Sequence, residues 1–346
     1  MKHLIAAVVC AAVLVSANAK WTEVRQDDFL RDDNIEGDLL AISFLDEKRG
    51  WAAGINGLIL STNDGGETWT KQEMPAPPES VPPRFRRRLA SPLLSVALTF
   101  DKKRILIAGT GSVLSNDGGK TWEFTDVGTR NRIIAGAVVS DKTLFLAGDN
   151  SSLTRTENAA GSWKLISDGG FTRVGESRIS YEAVAFADKQ NGWIVGTGGL
   201  VLSSTDGGAT WNKPDIQANV VENLYDIRFV SPKTGWIVGQ EATILRTTDA
   251  GAAWERIAND AQKDDFYYDL RSVAFSTKKP KLGWIVGDNG KTLVTEDGGA
   301  TWPFADTGVT HKLYAVAAHP SGSAFAVGEW GIVLKYTPED LEPETE

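Results

Sequence analysis

The side chains best placed to do chemistry are arginines. Arg84-Phe85-Arg86-Arg87-Arg88 sets four guanidinium forks around one aromatic ring, and Arg130, Arg132, Arg173 and Arg178 follow further along the chain. A guanidinium binds a carboxylate or carbonyl bidentately and sheds less hydration than an ammonium, so this set suits an acidic or carbonyl-rich partner. Acids lie in other stretches: Asp27, Asp28, Asp32, Asp33, Glu36 and Asp38 early, and Asp260, Asp264, Asp265 and Asp269 late. Metal and thiol chemistry are poorly supplied. The single cysteine is Cys10, and His311 and His319 stand too far apart for a zinc pair and in no triad pattern. The sequence therefore implies no metal, no cofactor and no catalytic centre, and a formal net charge of −9 disfavours a nucleic acid partner.

Residues 1–19 join Lys2, an apolar run from Leu4 to Val15, and the small-residue end Ser16-Ala17-Asn18-Ala19, the pattern of a secretory signal peptide. That run is shorter than the roughly 20 residues needed to span a bilayer. Cys10 lies inside it rather than behind a lipobox. The expectation is a periplasmic or secreted protein that is not inserted in a membrane and carries no cysteine after cleavage.

The elements that position the arginines are read from an internal repeat. Gly50-Trp51-Ala52-Ala53-Gly54 returns as Gly192-Trp193-Ile194-Val195-Gly196, Gly235-Trp236-Ile237-Val238-Gly239 and Gly283-Trp284-Ile285-Val286-Gly287, with weaker copies ending at Gly109, Gly148 and Gly328. The spacing averages about 46 residues, that of a propeller blade. A short apolar strand precedes each copy; a third strand, an Asp-Gly turn and a Thr-Trp strand follow. Four strands of four to six residues per copy predict an antiparallel blade, and seven blades must stack in a ring to bury their faces. The fold class is thus all-β, a seven-bladed propeller over residues 20–337, with an acidic, disordered tail at 338–346. Copy seven lacks its fourth strand, and Lys20-Trp21-Thr22-Glu23-Val24 matches it, so the N-terminal strand is expected to close the last blade. A ring without an open seam is expected to be a monomer.

The turns, such as Asn63-Asp64-Gly65-Gly66-Glu67-Thr68-Trp69, resemble the Asp box, or bacterial neuraminidase repeat. Asp64, Asp117, Asp206, Asp249 and Asp297 are read as structural acceptors for turn amides; copy three carries Asn158 in that place. Gly-Trp-x-x-Gly followed by an Asp box, repeated behind a signal peptide, resembles the photosystem II stability and assembly factor family. The resemblance implies a seven-bladed, non-enzymatic lumenal or periplasmic protein that holds a membrane-protein subunit through an arginine patch. The absent lipobox and short signal set this chain apart from many members, which leaves room for a relative outside photosynthesis.

In a propeller the loops from strand four to the next strand one share a face with those joining strands two and three, away from the Asp boxes. The largest such loop, Glu73 to Pro92, holds six of the 13 prolines and the Arg84–Arg88 run. Arg130, Arg132, Arg173 and Arg178 fall in neighbouring loops. Trp330 occupies the strand-two to strand-three turn where other copies have Asn56, Asn150, Gly198 or Asn289. Together with Phe85 it is the expected aromatic anchor for a partner. The alternative reading, a sialidase-type hydrolase or glycan-binding propeller, rests on Asp boxes shared with such enzymes and on arginines beside Tyr181, Tyr225, Tyr267 and Tyr268.

Overall fold

The computed structural model describes residues 20–24, 37–76, 79, 92–166, 173–174, 177–262 and 268–339. Residues 1–19, expected to be a signal peptide, the Arg84–Arg88 run with Phe85, the acids from Asp27 to Glu36, Asp264, Asp265, Tyr267 and the residues beyond 339 lie outside the described residues. Blade one comprises Leu39–Phe44, Gly50–Gly54, Ile59–Thr62 and Thr70–Gln72, paired antiparallel in that order. The later blades open on Leu93–Leu98, Ile133–Val138, Tyr181–Phe186, Leu224–Phe229, Leu270–Phe275 and Leu313–Ala318. These first strands pack side by side around an axis, and the last of them meets the first. The second strands are buried at every position, because a blade covers each of their faces; an unbroken apolar run suits that site better than alternation.

Ring closure takes the expected form. Lys20–Glu23 pairs with Val333–Thr337 in the register Trp21↔Tyr336, and the Val24 N–H donates to Val333 O at 2.9 Å. Trp21 is buried and meets the Tyr336 ring edge-on, with centroids 5.4 Å apart. The outer strands are shorter than the sequence suggests. They run two to four residues, and in blade four the fourth strand shrinks to one bridge, Ser203↔Asn212, just before Pro214. The outermost strand has a neighbour on one side only, so a short one leaves little edge exposed, and proline has no N–H with which to extend it.

Between blades the core is a relay of rings. Trp193 of blade four stacks on Phe229 of blade five at 4.2 Å, and Phe229 meets the Asp-box Trp254 at 6.0 Å. Trp236, Phe275 and Trp302 repeat the relay one blade on, at 4.3 and 5.7 Å. Where blades two and three end their first strands in Leu98 and Val138 instead of Phe, Trp122 and Trp163 are only half-buried.

The Asp boxes are built for this packing. In blade one Thr62 Oγ1 donates to Asp64 Oδ1 at 2.7 Å and accepts the Gly66 N–H at 2.9 Å, while the Thr68 N–H and hydroxyl bond Asp64 at 3.0 and 2.6 Å. Asp117, Asp206 and Asp297 repeat this pattern; Asp249 keeps the amide bond but meets Ala253 in place of the hydroxyl, and in blade three Asn158 accepts the Ser162 N–H and donates to its hydroxyl. The second glycine of each box sits at positive φ against a ring of the preceding blade: a Cβ on Gly251 would lie 2.5 Å from Trp193 Nε1. Blade three has Ala160 there, and the blade before it presents Leu106 in place of a ring.

Candidate partner-binding face

The turn that ends each second strand organises one end of the ring. Gly54 must lack a side chain because its Cβ would fall 1.9 Å from Asp38 O, and the next N–H, of Ile55, donates to that carbonyl at 3.0 Å. The same bond joins Asp149 to Arg132, Asp288 to Asp269 and Glu329 to Lys312. The residue before each first strand and the residue after each closing glycine are thereby neighbours on the rim. This is the face onto which the strand-four to strand-one loops emerge.

Just inside the rim, the pairing of strands one and two slips at the second residue of every first strand. A bulge re-aims the extra side chain, and the seven residues it affects all line the axial channel, a cavity of about 590 Å³. Blades one to three contribute Leu40, Leu94 and Ile134; blades four to seven contribute Glu182, Tyr225, Arg271 and Tyr314. The mouth is thus apolar along one arc and polar along the other. The wall beneath includes small residues, among them Ala41, Ala135, Ala183 and Ala315, which help keep the channel open.

The polar arc is tied together across blades. Arg271 Nε and Nη2 bond the two oxygens of Asp288 at 2.9 and 3.2 Å, and Nη2 also reaches Asp269 Oδ2 at 3.1 Å. Tyr225 donates to Asp269 Oδ2 at 3.0 Å and lies under the Arg271 guanidinium, 4.6 Å from carbon to ring centre. Burial and then the Asp269 charge push the Tyr225 hydroxyl up to about 12; burial and Asp38 do the same to Tyr314. Asp38 accepts the Tyr314 hydroxyl at 3.4 Å and the Trp330 N–H at 3.1 Å. Deeper in, buried Asp226 accepts Ser272 Oγ and the Val273 N–H, and burial raises its pKa despite Arg228 alongside.

The arginines singled out from the sequence are distributed unevenly. Arg132 is exposed, but its Nε and Nη2 are taken by Asp149 at 3.0 and 3.2 Å. Arg130 is exposed two residues before it. Arg173 and Arg178 are register partners in a two-stranded hairpin, Arg173–Val174 with Ser177–Arg178. Trp330 stands 68% exposed with φ at +59°, the left-handed region in which blades one, three, four and six place Asn56, Asn150, Gly198 and Asn289 and blade five places Glu241. For a bulky side chain that conformation costs about 1–2 kcal/mol. The channel ring went unread in the sequence; its one trace is doubled apolar residues such as Leu39-Leu40 at the start of a strand.

The geometry weighs against sialidase-type chemistry. A carboxylate clamp needs guanidinium N–H groups that are free, and those of Arg132 and Arg271 are bonded to Asp149, Asp269 and Asp288. Tyr181 is fully buried, and the hydroxyl of Tyr225 is harder to ionise than usual, the reverse of an activated nucleophile. Among the described residues no three His, Cys, Asp or Glu side chains gather as around a metal ion, and no helix is long and apolar enough to cross a membrane.

Comparison with known proteins follows the same division between scaffold and site. The chain is 21% identical to the chloroplastic photosystem II stability/assembly factor HCF136 of Arabidopsis thaliana, over 53% of this chain and 57% of that protein, so it matches little more than half of the relative's length. The solved structure of YCF48 bound to D1 peptide superposes with a TM-score of 0.70 at 18% identity, covering 94% of this chain and 97% of that one. A GH74 xyloglucanase from Xanthomonas campestris superposes equally well, TM-score 0.70 at 14% identity over 94% of this chain and 54% of the enzyme, which speaks for the fold alone. The sequence pattern of the family described as "Photosynthesis system II assembly factor YCF48" matches in four overlapping stretches, residues 18–164, 117–220, 171–262 and 214–304. Matched across nearly the whole ring, the chain belongs to the photosystem II assembly factor YCF48 family.

Proposed function

We propose that this protein is a non-catalytic, exported assembly factor that holds a segment of a membrane-protein client on the face bearing the long interblade loops. The observation that carries the reading is Trp330: a large ring left in solvent on a left-handed backbone, where the fold would be more stable with Asn or Gly. A stability cost at an exposed aromatic is what a contact residue leaves behind when its partner is absent. Membership of a family of assembly factors supports the reading, as does a solved relative that carries a peptide of D1. Arg84, Phe85, Arg86, Arg87, Arg88, Arg130, Arg173 and Arg178 complete the proposed contact set, with Arg132 a weaker contributor because Asp149 already holds it. The signal-like pattern of residues 1–19 supports work in the periplasm or, in a photosynthetic cell, on the lumenal side.

The test compares Trp330→Asn and the triple change Arg86→Glu, Arg87→Glu, Arg88→Glu with wild type. Trp330→Asn is expected to raise stability by about 1 kcal/mol and to lose the partners recovered by pull-down from envelope extract. The triple variant is expected to fold normally and to lose them as well. Recovery of the same partners by both variants would refute the reading.

A further inference from the structure

Glu182 is the unusual member of the channel ring. It lies in the mouth, and none of the described side chains donates a hydrogen bond to its carboxylate. Burial first, and then the charge of Asp149, hold its pKa above the ordinary glutamate value; Arg132 and Arg271 act on it from a distance without forming an ion pair. A half-buried carboxylate without a protein donor has lost part of its hydration and gained nothing in return, a cost that a bound cation would offset. The two cations that act on it are engaged elsewhere. Arg132 is spent on Asp149, and Arg271 is shared between Asp288 and Asp269. Among the described side chains joined in these contacts, Asp149, Asp269 and Asp288 outnumber Arg132 and Arg271, and Asp38 adds a further acid at the rim. A carboxylate ligand would have to displace internal acids from both arginines, whereas a cation meets an acceptor that is already partly desolvated.

The other arc fixes the shape of that cation. Ile134, in the blade next to Glu182, begins the apolar side of the mouth, which continues through Leu94 and Leu40. A charge at one wall and aliphatic carbon along the other match a primary ammonium at the end of a methylene chain. We propose that the channel mouth is a socket for a lysine side chain of a client segment, with the ammonium on Glu182 and the methylenes along Ile134, Leu94 and Leu40. The inference rests on the reading of this face as a docking face, and places beside the arginine contacts a site of the opposite charge preference. Trp330 and its neighbours on the rim give the backbone of such a segment a surface to lie on, which favours a peptide over a free amine.

The probe is the peptide acetyl-Gly-Leu-Lys-Leu-Gly-amide, titrated calorimetrically into the full propeller at pH 8. Replacing its lysine by norleucine, or using Glu182→Gln protein, is expected to weaken binding about tenfold or more, and the two changes together should be little worse than either alone. Glu182→Gln should melt at or above the wild-type temperature, since it removes a half-buried charge that has no partner among the described side chains. If that variant does not fold, the norleucine comparison on wild type decides. Equal binding of the lysine and norleucine peptides, no binding of the lysine peptide, or n-butylamine binding as tightly as the peptide would each overturn the proposal. Because the Trp330 and Arg86–Arg88 variants leave the channel untouched, peptide failure with client loss in those variants condemns the socket alone. Peptide binding without client loss condemns only the docking reading.

Discussion

Removing the Trp21 side chain tests whether the ring is held shut by the start of the chain. Trp21 is 5% exposed and packs edge-on to Tyr336, which in turn meets Trp284 at 5.6 Å, so the indole anchors the closing strand to the core between blades six and seven. Truncating a buried tryptophan costs about 3–5 kcal/mol through lost transfer energy and the cavity left behind. At roughly 2 °C per kcal/mol for a domain of this size, Trp21→Ala should lower the melting temperature by about 6–10 °C. Thr22→Ala, at the next residue but on the exposed side, is expected to stay within about 1 °C, since its hydroxyl makes only a long 3.4 Å bond to Lys335 O. The assay is thermal and urea unfolding followed by circular dichroism, with a chain lacking residues 20–24 measured with and without a peptide of that sequence. The peptide should restore part of the lost stability in proportion to its concentration. A Trp21→Ala shift below about 2 °C would show that blade seven stands on three strands and that closure by Lys20–Glu23 is ornamental.

Three further outcomes follow from the packing and the titrating groups. Gly251→Ala should lose about 2–4 kcal/mol in urea titration, combining a left-handed φ with a Cβ 2.5 Å from the Trp193 indole, while Ala160→Gly in blade three should shift the same curve by less than about 1 kcal/mol. Asp206→Ala should cost about 1–2 kcal/mol and Asp206→Asn far less, because Asn158 already sustains a box. The hydroxyl and N–H of Thr210 first, then Ser204 and the Ala209 N–H, hold Asp206 at about 2, so its contribution is present above pH 3.8 and lost as pH falls toward 2; the asparagine variant should flatten that limb of an acid titration. His319, buried against Phe44, is held below its usual pKa of 6.5 chiefly by burial, and its Nε2 bonds Glu47 O across the seam between blades seven and one at 3.1 Å. Its contribution is present above pH 6.5 and fades as pH falls through the lower folded value. Wild type should therefore lose more stability than His319→Gln between pH 7 and 5, a comparison that cancels the opposite trend from Glu182 and Asp226.

What the sequence made legible is what repeats. Strand order, the closing glycines, the Asp boxes and the match of Trp21 to other fourth strands all follow from laying seven copies side by side, since the same packing problem recurs at each interface. Trp330 was legible for the complementary reason, as the one aromatic residue at a turn position that four other blades fill with Asn or Gly and blade five with Glu241. Arg132 was misleading. The sequence separates the arginine-bearing loops from the long acidic stretches, yet Asp149 lies 17 residues away within the same blade, and the turn after Gly148 folds it back onto Arg132. Charge sectors along a chain say little about pairs that a single hairpin creates.

The channel ring was illegible because a bulge defeats alternation. Tyr181-Glu182-Ala183 reads as an ordinary in-out-in strand, and only the slipped pairing to Gly196 and Val195 turns the middle residue toward the axis. The bulge also frees that position from the demands on its neighbours. The residue before it must fill the interblade core and is Leu, Ile or Tyr in every blade; the residue after it faces the next blade and is Ala, Ser or a hydrogen-bonded Asp. Between them stand Leu40, Leu94, Ile134, Glu182, Tyr225, Arg271 and Tyr314, which share no size, charge or polarity. A position that repeats in geometry but not in chemistry is one the fold does not use for its own stability, so the identity of this propeller's ligand is to be sought in the bulge residues and the rim around them.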